Sequence, residues 1–190
     1  MITLAPAATA LVLIDLQEGI LGMPLAPRSG AEVLAAGREM AARFRAAGAP
    51  VVLVRVGWAA DFADAPPRAV DQPMQLPRGG LPESWSALAE GLAQPGDILV
   101  TKRHWGAFHG TDLDLQLRRR GVRSIVLGGI ATNFGVESTA RAAWEHGYDV
   151  VLAEDLCTSA AAELHEMSVT RILPRIARVS AAAGVRLAAA

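Results

Sequence analysis

Only one cysteine, Cys157, occurs in the 190 residues. That excludes an intrachain disulfide framework and fits a reducing, cytoplasmic setting. A charge of one sign is also missing: 18 Lys and Arg against 19 Asp and Glu leave a formal net charge of −1. With no long basic run, the chain has no electrostatic footing for nucleic acid. The triplet Arg118-Arg119-Arg120 reads as a solvated helix end, where cations complement the helix dipole. Long hydrophobic runs are absent as well. The apolar stretch at 4–14 stops at Asp15, well short of a bilayer span of about 20 residues. The N-terminus lacks the basic head and cleavage signature of a signal peptide, so no membrane partner is expected. Histidine is sparse. His104, His109, His146 and His165 all lie beyond residue 103, and none pairs at the i, i+4 zinc spacing. No metal site and no cofactor are expected.

What is present is a regular alternation. Residues 10–14, 51–54, 97–101, 124–127 and 149–153 are short apolar runs that read as buried strands. Residues 176–179 read as a last edge strand. Between them, 32–47 is helical and closed by Gly48. Thr111 can cap a helix that carries Leu113 and Leu117 on one face and ends at Gly121. A further helix places Val136, Ala140, Ala143 and Trp144 on one face before Gly147, and 160–173 makes another. Continuously apolar strands alternating with helices predict one α/β domain over 1–190. Its architecture is a three-layer α/β/α sandwich around a mostly parallel, six-stranded Rossmann-like sheet. Residues 57–96 break the rhythm and hold six of the 11 prolines. A connection that long reads as a lid or binding loop, or as a loop with short helices around Trp85 and Leu88.

Ligands in open parallel sheets bind beyond the carboxyl ends of the strands. Asp15, Lys102 and Gly135 fall at three such ends. Burial would raise the Asp15 pKa and the Lys102 ammonium would lower it, a pair able to move a proton near neutral pH. Position alone leaves a plainer reading open, with Asp15 capping a turn and Lys102 a solvated strand end. The glycine-rich stretch 128–135 leads into a helix whose unpaired first N–H groups favour an oxyanion or carboxylate. The plainer alternative is that Gly135 is merely tolerated in a first turn. Trp58 and Trp105 adjoin strand ends and are pocket candidates, while His104 and His109 either line the site or face solvent. Cys157 reads as a small buried side chain, or as a substitute nucleophile.

The segment Gly129-x-x-Thr132-x-x-Gly135-Val136-x-x-Thr139-Ala140 resembles the cysteine motif of the isochorismatase-like hydrolases, G-x-x-T-x-x-C-V-x-x-T-A, with glycine at the cysteine position. Leu13-Ile14-Asp15-Leu16-Gln17, Lys102, Ala107-Phe108, Gly110-Thr111-Asp112-Leu113 and Ala153-Glu154-Asp155 extend the likeness over nearly the whole chain. Thr132-Asn133-x-Gly135-Val136-Glu137-Ser138-Thr139-Ala140-Arg141 places it in a cysteine-less branch. The resemblance implies the isochorismatase-like fold, homo-oligomers and a small-molecule substrate. It implies catalytic roles for Asp15 and Lys102, oxyanion-binding N–H groups at Ala131 and Gly135, and a cis peptide between Ile130 and Ala131. True isochorismatases, which likewise have glycine at that place, use the aspartate as a general acid on an enol ether, without a covalent intermediate. The region Arg55-Val56-Gly57-Trp58 lacks the Asp-x-His metal motif of the family's amidases. A metal-free, thiol-independent hydrolase is therefore expected. Two alternatives stand beside it: a metabolite-binding protein that lost catalysis, and an amidase using water or Cys157.

Overall fold

The run that ends at Asp15 is a strand buried along its whole length in the computed structural model, which describes residues 1–188. The first half contains β1 (Ile2–Leu4), β2 (Thr9–Ile14), the single turn α1 (Glu18–Leu21), α2 (Gly30–Ala46), β3 (Val51–Val56) and β4 (Ile98–Lys102). Then follow α3 (Leu113–Arg119), β5 (Ser124–Ile130), α4 (Glu137–Glu145), β6 (Asp149–Thr158), α5 (Ala162–Met167), β7 (Arg178–Ser180) and β8 (Val185–Leu187).

Six strands form one sheet in the order β4-β3-β2-β5-β6-β7, every neighbouring pair parallel. Successive side chains on β2 go to opposite faces, as the pleat requires. Ala10, Val12 and Ile14 join the core under α3 and α4, and Leu11 and Leu13 join the core under α2. That double burial explains why the strand is apolar at every position rather than alternating. The anticipated α/β/α architecture stands.

Helix α2 begins with a capping box. Ser29 accepts from the Glu32 N–H and the Glu32 carboxylate accepts from the Ser29 N–H. Val33, Met40 and Phe44 make its buried stripe, and Gly48 ends it at φ +69°.

One pairing lay outside the expectations, and three expectations need correction. β1 and β8 pair as a separate two-stranded sheet, each too short to show a periodicity. The helix expected over 160–173 is α5 followed by a π-helical turn (Ser168–Ile172) and a 3-10 turn (Leu173–Arg175), because Pro174 cannot continue a helix. Trp144 is 55% exposed, while Val136, Ala140 and Ala143 are buried. An alanine stripe holds the helix too close to the sheet for an indole. The 57–96 connection contains one 3-10 turn, Glu83–Ser86, around Trp85. Leu88 forms no helix and instead bridges to Gln17. Among the described residues, no helix is long and apolar enough to cross a membrane.

Candidate active site

From β2 the chain steps outward through β3 to β4, then returns to place β5 on the other side of β2. This reversal opens a crevice at the carboxyl ends of β2 and β5, the switch point where open sheets bind ligands. Asp15 lies at its floor. Its φ is +54°, a left-handed conformation that aspartate tolerates better than most residues, and its N–H donates to Val54 O at 2.8 Å.

Lys102 ends β4, two strands away, a separation of roughly 10 Å. Its extended side chain crosses the end of β3 and Nζ donates to Asp15 Oδ2 at 2.7 Å and to His104 O at 3.1 Å. Lys102 is only 2% exposed and Asp15 4%. The other carboxylate oxygen, Oδ1, is buried without a hydrogen-bond partner. Burial raises the Asp15 pKa to about 6, and the charge and hydrogen bond of Lys102 pull against that rise. A carboxyl group so placed exchanges its proton near neutral pH.

Gly135 closes the triangle. A Cβ built there would lie 3.4 Å from Asp15 Oδ2 and 2.9 Å from Ile14 Cγ2. Thr139 ties this turn to the segment after Lys102: its hydroxyl donates to Gly135 O at 2.6 Å and accepts from the Ala107 N–H at 3.1 Å. Ahead of Gly135, the Ile130-Ala131 peptide is cis, as the motif implied. A π-helical turn over Thr132–Val136 follows, with Val136 N–H bonded to Ala131 O at 3.1 Å. Gly129, at φ +124°, permits the approach of this strand end to β2, since a Cβ would fall 2.1 Å from Ile14 O.

The same chain matches the family model of the Isochorismatase domain over residues 9–184. It belongs to the isochorismatase family of hydrolases. It is 55% identical over 180 residues to the uncharacterized isochorismatase family protein YecD of Escherichia coli O157:H7, covering 94% of this chain and 95% of the relative. Identity to the ureidoacrylate amidohydrolase RutB of Rhizobium rhizogenes is 35% over 178 residues, 81% of this chain and 72% of that one. An isochorismatase family protein of Burkholderia thailandensis superposes with a TM-score of 0.91 at 46% identity, over 97% of this chain and 96% of the other.

Behind the motif's Thr132 stands a buried histidine that the motifs did not reveal. Thr132, next to the cis peptide, is fully buried; its Oγ1 donates to Thr158 O at 3.0 Å and lies 2.8 Å from His165 Nδ1. His165 Nε2 is 3.4 Å from Glu154 Oε2, which Arg28 also holds at 3.0 Å. Burial, followed by the Arg28 charge, lowers the His165 pKa. A lone histidine in a helix carries no spacing signal, so only its buried surroundings identify it. Gln17 was quoted as part of a motif without a role. Fully buried, its amide donates to Val56 O and Trp85 O and accepts from the Val56 N–H, pinning the base of the 57–96 loop to the sheet.

Of the two tryptophan candidates, Trp105 lines a cavity of about 570 Å³ between that loop and residues 104–106, and His104 lines it too. Trp58 does not. Its indole N–H donates to Arg103 O at 2.9 Å and its ring stacks on Trp85. His109 is exposed with its ring edge-on to His104. Cys157 is sealed inside β6, its thiol pushed up to about 12 by burial, and so cannot present a thiolate. Among the described residues, no group of three or more His, Cys, Asp and Glu side chains is disposed to hold a metal ion.

Proposed function

We propose that this chain is a thiol-independent hydrolase of a small, anionic metabolite, with Asp15 as the proton donor and no metal in the step. One observation carries the reading: the buried Asp15–Lys102 pair lies beside residue 135, where a Cβ would come 3.4 Å from Asp15 Oδ2 and a side chain that could attack the substrate is lacking. Asp15 with its proton transfers it to the departing group. Water then adds at the broken bond and returns its own proton to the carboxylate, so protons balance over the cycle. Lys102 keeps its charge throughout and stabilises negative charge as it develops. The N–H groups of Ala131 and Gly135, at the turn ahead of α4, supply the remaining oxyanion contacts.

An anionic substrate suits this arrangement electrostatically. When Asp15 is protonated the pair carries a net positive charge in a buried place, and a substrate anion offsets it. The same anion raises the Asp15 pKa further and so holds the proton where it is needed.

The test is a turnover screen of the purified protein against enol ethers such as isochorismate and against amides, including ureidoacrylate, the substrate for which RutB is named. Asp15→Asn should lower kcat by about 10²- to 10⁴-fold, and undiminished turnover would reject the assignment. Saturable binding of a metabolite with no product would instead support a binding protein that kept the pocket. Amide turnover that depends on Lys102 but not on Asp15 would support water-driven amidase chemistry.

A further inference from the structure

One buried titratable group takes no part in the proton transfer at Asp15. His165 sits on α5, and its two ring nitrogens are held unequally. Nδ1 lies 2.8 Å from Thr132 Oγ1, whereas Nε2 is 3.4 Å from Glu154 Oε2, long for a charge-assisted bond. Glu154 belongs to the segment Ala153-Glu154-Asp155, which the Asp15 chemistry leaves unused. Arg28 already holds its Oε2 at 3.0 Å and donates as well to Glu154 O and Cys157 O. The carboxylate therefore needs no proton from Nε2. Thr132 does need one from Nδ1, because its hydroxyl has a single proton and Thr158 O accepts it at 3.0 Å. A neutral His165 with hydrogen on Nδ1 satisfies both bonds.

A second contact comes from the same side of this segment. Ser168, three residues on and fully buried, donates from its hydroxyl to Glu137 Oε2 at 2.7 Å. Thr132 opens the π-helical turn Thr132–Val136, and Glu137 follows it directly. His165 and Ser168 thus hold the turn at its two ends, with Gly135 between them and Ala131 just ahead. From β6 the Ser159 hydroxyl adds a bond to Asn133 Oδ1. A turn built around glycine has much conformational freedom of its own to lose. Its N–H groups stabilise developing charge only if they are fixed before the reaction begins.

We propose that His165 is a positioning residue: donating from Nδ1 to Thr132, it fixes the turn that presents the Ala131 and Gly135 N–H groups to the substrate. Ser168 holds the far end of the same turn. This rests on the hydrolase reading for what those N–H groups do, whereas the hold on the turn is measured without turnover.

The experiment is heteronuclear NMR of the isotope-labelled protein at about pH 7.5, where the imidazole is neutral. The His165 ring should carry hydrogen on Nδ1 and none on Nε2, a measurement that needs no substitution and so decides even where a variant fails to fold. His165→Leu should shift the amide signals of residues 131–135. His165→Asn, whose amide reaches the Nδ1 position, should return them most of the way. Ser168→Ala should shift the signals at Val136 and Glu137 instead. A space-filling role would give the reverse order, with Leu tolerated better than the smaller Asn. On any compound turned over in the substrate screen, His165→Leu should lower kcat by roughly 10- to 100-fold with KM little changed, and His165→Asn should recover most of the loss. Hydrogen on Nε2 alone, amides unmoved in His165→Leu, or shifts as large in His165→Asn as in His165→Leu overturns the proposal. Wild-type turnover that His165→Leu leaves unchanged removes the positioning role and spares the hydrolase reading. Donor-dependent amide shifts in a protein that hydrolyses no screened compound keep the hold on the turn and remove the hydrolase reading.

Discussion

A methyl group at position 135 would meet Ile14 Cγ2 at 2.9 Å, closer than real Cβ contacts come. The site is therefore not a cysteine site with its sulfur trimmed away, because Ile14 occupies the space next to the backbone. Gly135→Ala should cost about 1–3 kcal/mol, the usual penalty of overpacking a filled core. Chemical denaturation would show it. Ile14→Leu, which removes the γ2 methyl, should shrink that cost in a double-mutant cycle. Asp15 and Lys102 set a different balance. Asp15→Asn mimics the protonated carboxyl that burial favours and should cost little stability, whereas Lys102→Met leaves the Asp15 carboxylate buried without a counter-charge and should destabilise by about 3–5 kcal/mol, with Lys102→Met/Asp15→Asn recovering much of it. The folded pKa of Asp15, about 6, lies above its ordinary value of 3.8. Its contribution to stability is thus fully present below pH 3.8 and lost as pH rises through about 6. The general acid follows the same sign, so kcat/KM should fall as pH rises past about 6, and kcat only at higher pH when the bound substrate is anionic.

Helix α5 reaches the site through one side chain. The Thr132 hydroxyl has a single proton and two takers, Thr158 O and His165 Nδ1. When Nδ1 carries hydrogen and donates to Thr132, the hydroxyl is free to donate to Thr158 O, and Nε2 then faces Glu154 without a proton. Protonating His165 would satisfy all three contacts, but burial and Arg28 hold its folded pKa below 6.5. A depressed histidine pKa contributes stability above the unfolded value of about 6.5, lost as pH falls through the folded pKa. His165→Asn, which keeps a group near Nδ1, should therefore flatten the decline of Tm below about pH 6.5. An unchanged acid limb would show that His165 does not couple α5 to the turn at Thr132. Thr132→Val removes a fully buried donor and leaves Thr158 O unpaired, at about 1–3 kcal/mol.

At the scale of the whole molecule, the Asp15–Lys102 pair is buried at the ends of the strands, while the 57–96 loop is largely exposed. Strands β2, β3, β5 and β6 are cross-bonded and largely buried on both faces, and edge strand β4 on one, whereas most of residues 59–80 are exposed and without regular structure. Local opening concentrates in such segments. Brief trypsin treatment should cut first after Arg68 or Arg78, both exposed in that loop, before any site in the sheet. A first cut within the sheet would show that the loop is not where opening concentrates.

Local chemistry already wrote the sheet, α2 and the motif positions. Continuous apolar runs admit little but doubly covered strands, and Gly48 marks the end of α2, while its start, read at residue 32, lies at Gly30 behind the Ser29–Glu32 capping box. The pair β1 and β8 stayed hidden because three residues carry no period, and the break after α5 because its helical pattern runs on to Pro174. Asp15, Lys102 and Gly135 could be named from strand ends and a motif, since each stands where a parallel sheet exposes its carboxyl edge. Only the tertiary structure could decide that Lys102 spans β3 to reach Asp15, that Ile14 fills the space beside Gly135, and that His165 and Gln17 are buried. Those facts depend on distances between residues far apart in the chain, 87 positions for Asp15 and Lys102, and the packing of neighbouring strands and helices, not local spacing along the chain, sets such distances.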